Sequence, residues 1–161
     1  MATLKINGLS KAFGINTVFE NVTFDVKSGE RIGLVGANGC GKTTLMRCIC
    51  GFAKPDAGFV RVDGKVIGKD CDFAPSMGII IETPGFLSHM TARQNLSILS
   101  RITGKVSDSQ ISDVIRRVGL DPDDRKPVGK YSLGMRQRLG IAQSLLENPT
   151  ALLWDEPFNG L

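Results

Sequence analysis

Residues Gly36-Ala37-Asn38-Gly39-Cys40-Gly41-Lys42-Thr43-Thr44 decide the fold. They read G-x-x-x-x-G-K-[ST], the spacing of a phosphate-binding loop. The apolar run Arg31-Ile32-Gly33-Leu34-Val35 before them predicts a strand. The amphipathic run Leu45-Met46-Arg47-Cys48-Ile49-Cys50 after them predicts a helix. Strand, loop and helix in that order are the context in which such a motif binds phosphate. The loop can bend so that successive N–H groups face the β- and γ-phosphates, and the helix N-terminus adds its dipole. Lys42 brings a point charge, and the Thr43 hydroxyl is suited to Mg²⁺.

Working outward, residues 3–9 and 17–26 alternate apolar and polar, as half-buried strands do. Ser28-Gly29 turns the chain toward the loop, and Gly51 suits the C-terminal end of the loop's helix. Phe59 to Ile67 reads as a hairpin around an Asp63-Gly64 turn, and Met77 to Ile81 as a short buried strand. Beyond residue 82 the period becomes helical. Thr91-x-x-Gln94 and Ser107-x-x-Gln110 are capping boxes, and a third helix is expected from about Ser132 to Glu147. Asn148-Pro149 ends it, and Ala151-Leu152-Leu153-Trp154 reads as a buried strand delivering Asp155-Glu156.

That acid pair is the partner a phosphate loop requires. Asp155 at a strand's C-terminal end can hold Mg²⁺ through its water shell. Glu156, one residue on, can orient or deprotonate an attacking water. Without an upstream phosphate loop, Leu152 to Glu156 would more often be a core strand and a solvated acid pair. Ser132 stands at a helix N-cap with Gly134 just inside the first turn, which makes a second anion-binding helix end. The first helix end is used by the chain's own loop. A second phosphate must come from elsewhere, and a head-to-tail pair of chains would supply it.

Composition narrows the function classes. At 161 residues the chain has the length of one domain with a real core. A net charge of +4 suits a protein that binds polyanions such as nucleotides, and no Lys/Arg block suggests a nucleic-acid partner. The longest apolar runs fall far short of the ~20 residues of a membrane span, and Met1 to Lys5 lacks a signal-peptide core. A cytoplasmic location is expected, with any membrane role exerted through a partner. The four cysteines show no metal-binding spacing.

With these motifs in place, the chain resembles the ATPase subunit of ATP-binding-cassette (ABC) transporters from residue 3 to its last residue. Gly36 to Thr43 looks like the Walker A loop, Leu152 to Asp155 like Walker B, and Glu156 like the catalytic glutamate. Ser132-Leu133-Gly134-Met135-Arg136-Gln137-Arg138 is similar to the family signature, although Tyr131, Leu133 and Met135 depart from its usual Leu, Gly and Gln. Phe13 falls at the aromatic position that stacks on adenine in the family, with Val18 nearby. Glu82 stands where the family usually has a Gln that contacts Mg²⁺ and relays to the membrane subunit. A Glu there, together with the signature's form, is similar to the subgroup that exports bacitracin and lantibiotic-type peptides.

The resemblance implies an α/β P-loop NTPase fold of the ABC-ATPase type, with an N-terminal antiparallel β-subdomain and an inserted helical subdomain at about 84–147. It implies ATP and Mg²⁺ as ligands. It implies a second ATPase subunit, as homodimer or heterodimer, and a separate transmembrane permease, with the ATPase peripheral on the inner face of the cell membrane. Residues 1–161 would form one ATPase domain, incomplete at the C-terminus. The family continues beyond Phe158 to Leu161 with an Asp and a further strand ending in a γ-phosphate-contacting His, and His89 lies too early to be that residue. Without that strand a gap is expected in the sheet, and this chain alone is expected to hydrolyse little ATP. Translation or DNA-repair cassettes, which lack a membrane partner, are the alternative; their paired cassettes or long coiled-coil insertions do not occur here. A nucleotide-binding module without turnover is a further alternative.

Overall fold

In a computed structural model, residues 2–82 and 85–157 are described. The chain divides into two compact units, one up to Pro75 and the other from Ser76.

The first unit is built on an antiparallel sheet. Strands β1 (Ala2–Phe13), β2 (Asn16–Lys27), β3 (Ala57–Val62) and β4 (Lys65–Val66) run in the order β2-β1-β3-β4. The alternation seen in sequence sets the faces. Leu4, Ile6 and Leu9 of β1 are buried, and Leu4 and Ile6 stand opposite the buried Val62 and Val60 of β3. β2 is an edge strand whose apolar residues are half-buried and whose polar ones are exposed. The Asp63-Gly64 hairpin forms as expected, with Val62 paired to Lys65. Helix α1 (Lys42–Cys50) buries Leu45, Met46, Cys48, Ile49 and Cys50 and stops at Gly51, whose N–H closes on Cys48 O.

One expectation fails here. No strand forms at Arg31–Val35; the backbone is irregular, and Ile32, Leu34 and Val35 are exposed, Val35 by 96%. An apolar run becomes a strand when neighbours supply a ladder and cover for both faces, and five residues supply neither themselves.

The second unit holds β5 (Met77–Ile80), α2 (Ala92–Thr103), α3 (Asp108–Arg117), α4 (Leu133–Leu145) and β6 (Ala151–Trp154). Both capping boxes are present: Thr91 with Gln94 starts α2, and Ser107 with Gln110 starts α3. Each such cap is worth about 1 kcal/mol. Ala92, Leu96, Ile111, Val114, Ile115, Leu139, Ala142 and Leu146 share one apolar core. The loop between α3 and α4 contains a short 3₁₀ turn at Val128–Lys130, which the Pro/Asp/Lys-rich sequence did not announce. It is tied back by Val128 N–H to Met90 O and Gly129 N–H to Ser88 O, both 2.8 Å.

β5 and β6 pair in parallel, with Ile80 opposite Trp154. Helix α4 lies against β5 closely enough that a Cβ on Gly78 would collide with the Ser144 carbonyl oxygen. Trp154 Nε1 donates to Ser144 Oγ at 3.1 Å and so ties β6 to the same helix. β6 is less buried than expected: Leu152 is exposed, and the other three residues are half-buried. One parallel neighbour covers one edge only, so its apolar composition is not matched by enclosure.

Candidate functional site

The first unit presents the loop Gly36–Thr44 at the start of α1. Gly41 is the N-cap, with φ 92°, and it makes no side-chain capping bond. The other three described α-helices are capped by the side chains of Thr91, Ser107 and Ser132. First-turn amides have no acceptor within a helix. Gly41, which has no side chain, offers them none, and a helix end that begins on glycine is suited to an anion. Gly41 is also required sterically: a Cβ there would lie 2.5 Å from Val18 Cγ1 and would carry a left-handed backbone. Val18, half-buried on β2, is thereby fixed against the loop.

Lys42 folds back over its own loop. Its Nζ donates to Gly36 O at 2.6 Å and to Ala37 O at 2.9 Å. The ammonium is thus held among carbonyls at the helix N-terminus. Cys40 N–H donates to Ala37 O at 3.3 Å, which closes the turn through Asn38 and Gly39. The Cys40 thiol is exposed, whereas Cys48 and Cys50 are buried. Burial raises the Cys48 thiol pKa and pushes that of Cys50 up to about 12. Thr43 and Thr44 occupy the first turn of α1. Phe13 ends β1 and is 59% exposed; it pairs with Asn16 across the hairpin that continues into Val18. Phe13, Val18 and residues 36–44 therefore belong to one unit.

The second unit gathers the carboxylates. Because β5 and β6 are parallel and in register, Glu82 and the Asp155-Glu156 pair leave the same end of the ladder. Asp155 N–H donates to Ile80 O at 2.7 Å and extends the pairing by one step. Glu82 and Glu156 both have left-handed backbones, with φ of 63° and 45°. Such conformations cost non-glycine residues ~1 kcal/mol or more and cluster at functional sites. Both side chains are exposed, and Asp155 is half-buried.

Ser132 caps α4 in the same unit. Its hydroxyl accepts from Met135 N–H at 3.2 Å, and Gly134 is the second helical residue. Arg136 Nη1 donates to Tyr131 O at 2.6 Å and braces the turn into the cap. Gln137, buried, reaches from α4 to Glu156 O in a long polar contact of 3.5 Å. That link was not anticipated; the only sequence signal for it was Gln137's place within Ser132–Arg138. Phe158 to Leu161, and the boundary of the helical subdomain at Pro84, lie outside the described residues.

The ABC transporter family profile matches residues 19–159. The chain is similar to the uncharacterized ABC transporter ATP-binding protein YdbJ of Bacillus subtilis (strain 168), at 43% identity over 98% of this chain and 52% of the relative. It is similar to the bacitracin transport ATP-binding protein BcrA of Bacillus licheniformis, at 41% identity over 98% of this chain and 52% of the relative. The chain thus spans about half the length of these curated relatives. Among solved structures it matches the ATP-binding cassette MJ0796, a dimer in a post-hydrolysis state bound to ADP and Pi. The TM-score there is 0.84 at 21% identity, over 98% of this chain and 75% of the other. No described helix is long and apolar enough to cross a membrane.

Proposed function

The chain belongs to the ABC transporter family, and on that premise we propose that it is the ATP-binding and ATP-hydrolysing subunit of an exporter acting through a separate membrane permease. The cargo class we assign is a peptide antibiotic, supported by the 41% identity to a bacitracin transport protein. The subunit works in the cytoplasm, on the inner face of the membrane.

The observation that carries this reading is the N-terminus of α1. Among the described α-helices it is the one without a capping side chain, and the Lys42 ammonium is held among the carbonyls of its loop. An anion with several oxygens completes it. Lys42 and the amides of residues 36–44 bind the β- and γ-phosphates. Phe13 stacks on the base, with Val18 beside it. Thr43, Asp155 and Glu82 are the oxygen donors we assign to Mg²⁺, an ion that binds through one or two carboxylates together with substrate phosphates. When bound, that ion supplies neutralisation of phosphate charge. Glu156 takes the proton of the attacking water. Ser132 and Gly134 cap the γ-phosphate of the ATP held by a second subunit, so two chains are needed to close two sites.

The test uses the full-length protein purified from its own cells. Co-purification of a hydrophobic multispan protein, with ATP turnover in the complex, is expected. Co-purification of ribosomes or DNA would overturn the transport reading. ATP binding without turnover would reduce the protein to a binding module.

Cys40 offers a chemical check. A bulky maleimide should label Cys40 ahead of the buried Cys48 and Cys50, block ATP binding, and be excluded by prior ATP. Labelled protein with unchanged ATP affinity, assayed by titration calorimetry, would remove the loop from the site.

A further inference from the structure

β1 outlasts its neighbour. The β1–β3 ladder ends at the Ser10–Ala57 pair, while β1 runs on through Lys11 and Ala12 to Phe13. Beyond that point no strand among the described residues accepts the N–H groups on the β3 side of β1. Asp56, the residue just before β3, takes over. Its N–H donates to Ser10 O at 2.9 Å. Its Oδ2 accepts from Ala12 N–H at 2.7 Å, and its Oδ1 accepts from Lys11 Nζ at 2.9 Å. One residue thus braces three successive residues of the strand immediately before Phe13.

The brace also sets a charge against the ring. Side chains two apart on a strand share a face. Lys11 Nζ lies 5.3 Å from the centroid of the Phe13 ring, within the range of a cation–π contact. The Lys11 side chain is only 14% exposed, in contrast to Phe13 at 59%. The Ala12 amide foremost, and then the Lys11 ammonium, hold the Asp56 carboxyl below the usual carboxylate range. Asp56 is therefore ionised at neutral pH, and the ammonium has a fixed anchor.

We infer that Lys11 and Asp56 are positioning residues for the nucleotide base: Asp56 pins the end of β1 and the Lys11 ammonium, and that ammonium sets the Phe13 ring for stacking. The inference rests on the reading of Phe13 as the base-stacking residue. Neither residue touches the base. A held ring loses less freedom when a base stacks on it than a free one. The cost of losing the brace therefore falls on the base and not on the phosphates.

The experiment separates the two ends of the ligand. Full-length protein is titrated calorimetrically with Mg-ATP and with Mg-tripolyphosphate, which carries the phosphates alone. The ratio of the two dissociation constants measures what the base contributes. F13A should bring that ratio down by about tenfold or more. D56N and K11M should each lower it about three- to tenfold, with tripolyphosphate affinity unchanged, and K11R should restore most of it. If F13A lowers the ratio while D56N and K11M leave it as in the parent, the inference falls and the reading of Phe13 stands. If F13A itself leaves the ratio unchanged, both fall. If D56N and K11M weaken both ligands equally, the pair is merely structural and the inference is overturned.

Discussion

Lys42→Ala in the full-length protein is expected to weaken ATP binding by about a hundredfold or more. The ammonium is the loop's only fixed positive side chain, and in the structure it already sits on Gly36 O and Ala37 O. A hydrogen bond to a charged group contributes about 1.5–3 kcal/mol, and a phosphate chain accepts more than one from an ammonium. Each ~1.4 kcal/mol is a factor of ten in affinity. Stability should change little, because the hydrogen bonds that Lys42 makes to its loop are exposed to solvent. Calorimetric titration gives the affinity, and a thermal melt without nucleotide guards against unfolding. Unchanged affinity would refute the phosphate assignment.

Glu156→Gln is expected to divide binding from chemistry. The amide keeps the size and shape of the carboxylate but cannot take a proton from water. Loss of a general base lowers turnover by about 10²- to 10⁴-fold. The backbone of Glu156 is held at the end of β6, where Asp155 N–H bonds Ile80 O, so the substitution leaves the strand end in place. ATP should then persist between two subunits, each closed by the Ser132 end of the other. The expected result is ATP-dependent dimer on gel filtration with almost no phosphate release. Wild-type turnover in this variant would show that Glu156 is not the base.

The features legible in the sequence are the local ones. Thr91 with Gln94 and Ser107 with Gln110 span four residues each, and both boxes close as expected. The Asp63-Gly64 turn is two residues, and it sets its own register. At 36–44 the local part formed likewise, with Gly41 as the N-cap and Lys42 as the first residue of α1. The illegible features depend on what lies far along the chain. Arg31–Val35 carries a strand's composition, but its fate depends on neighbours, and it forms no strand. Leu152 looks like core by composition and is exposed because the strand has one parallel neighbour. Asp56 gave no signal at all. Its bonds reach back 44 and 45 residues to Ala12 and Lys11, and nothing in the local pattern points to them.

The missing cap on α1 has a thermodynamic consequence. Three of the described α-helices close their own N-termini with a side chain of this chain, while the fourth begins at Gly41 without one. A ligand that binds the folded state alone adds RT ln(1 + [L]/Kd) to its stability, about 2.7 kcal/mol at a hundred times Kd. On the proposed function, nucleotide would then be a part of the folded structure as well as its fuel, and each turnover that emptied the loop would return the protein to the less stable of its two forms.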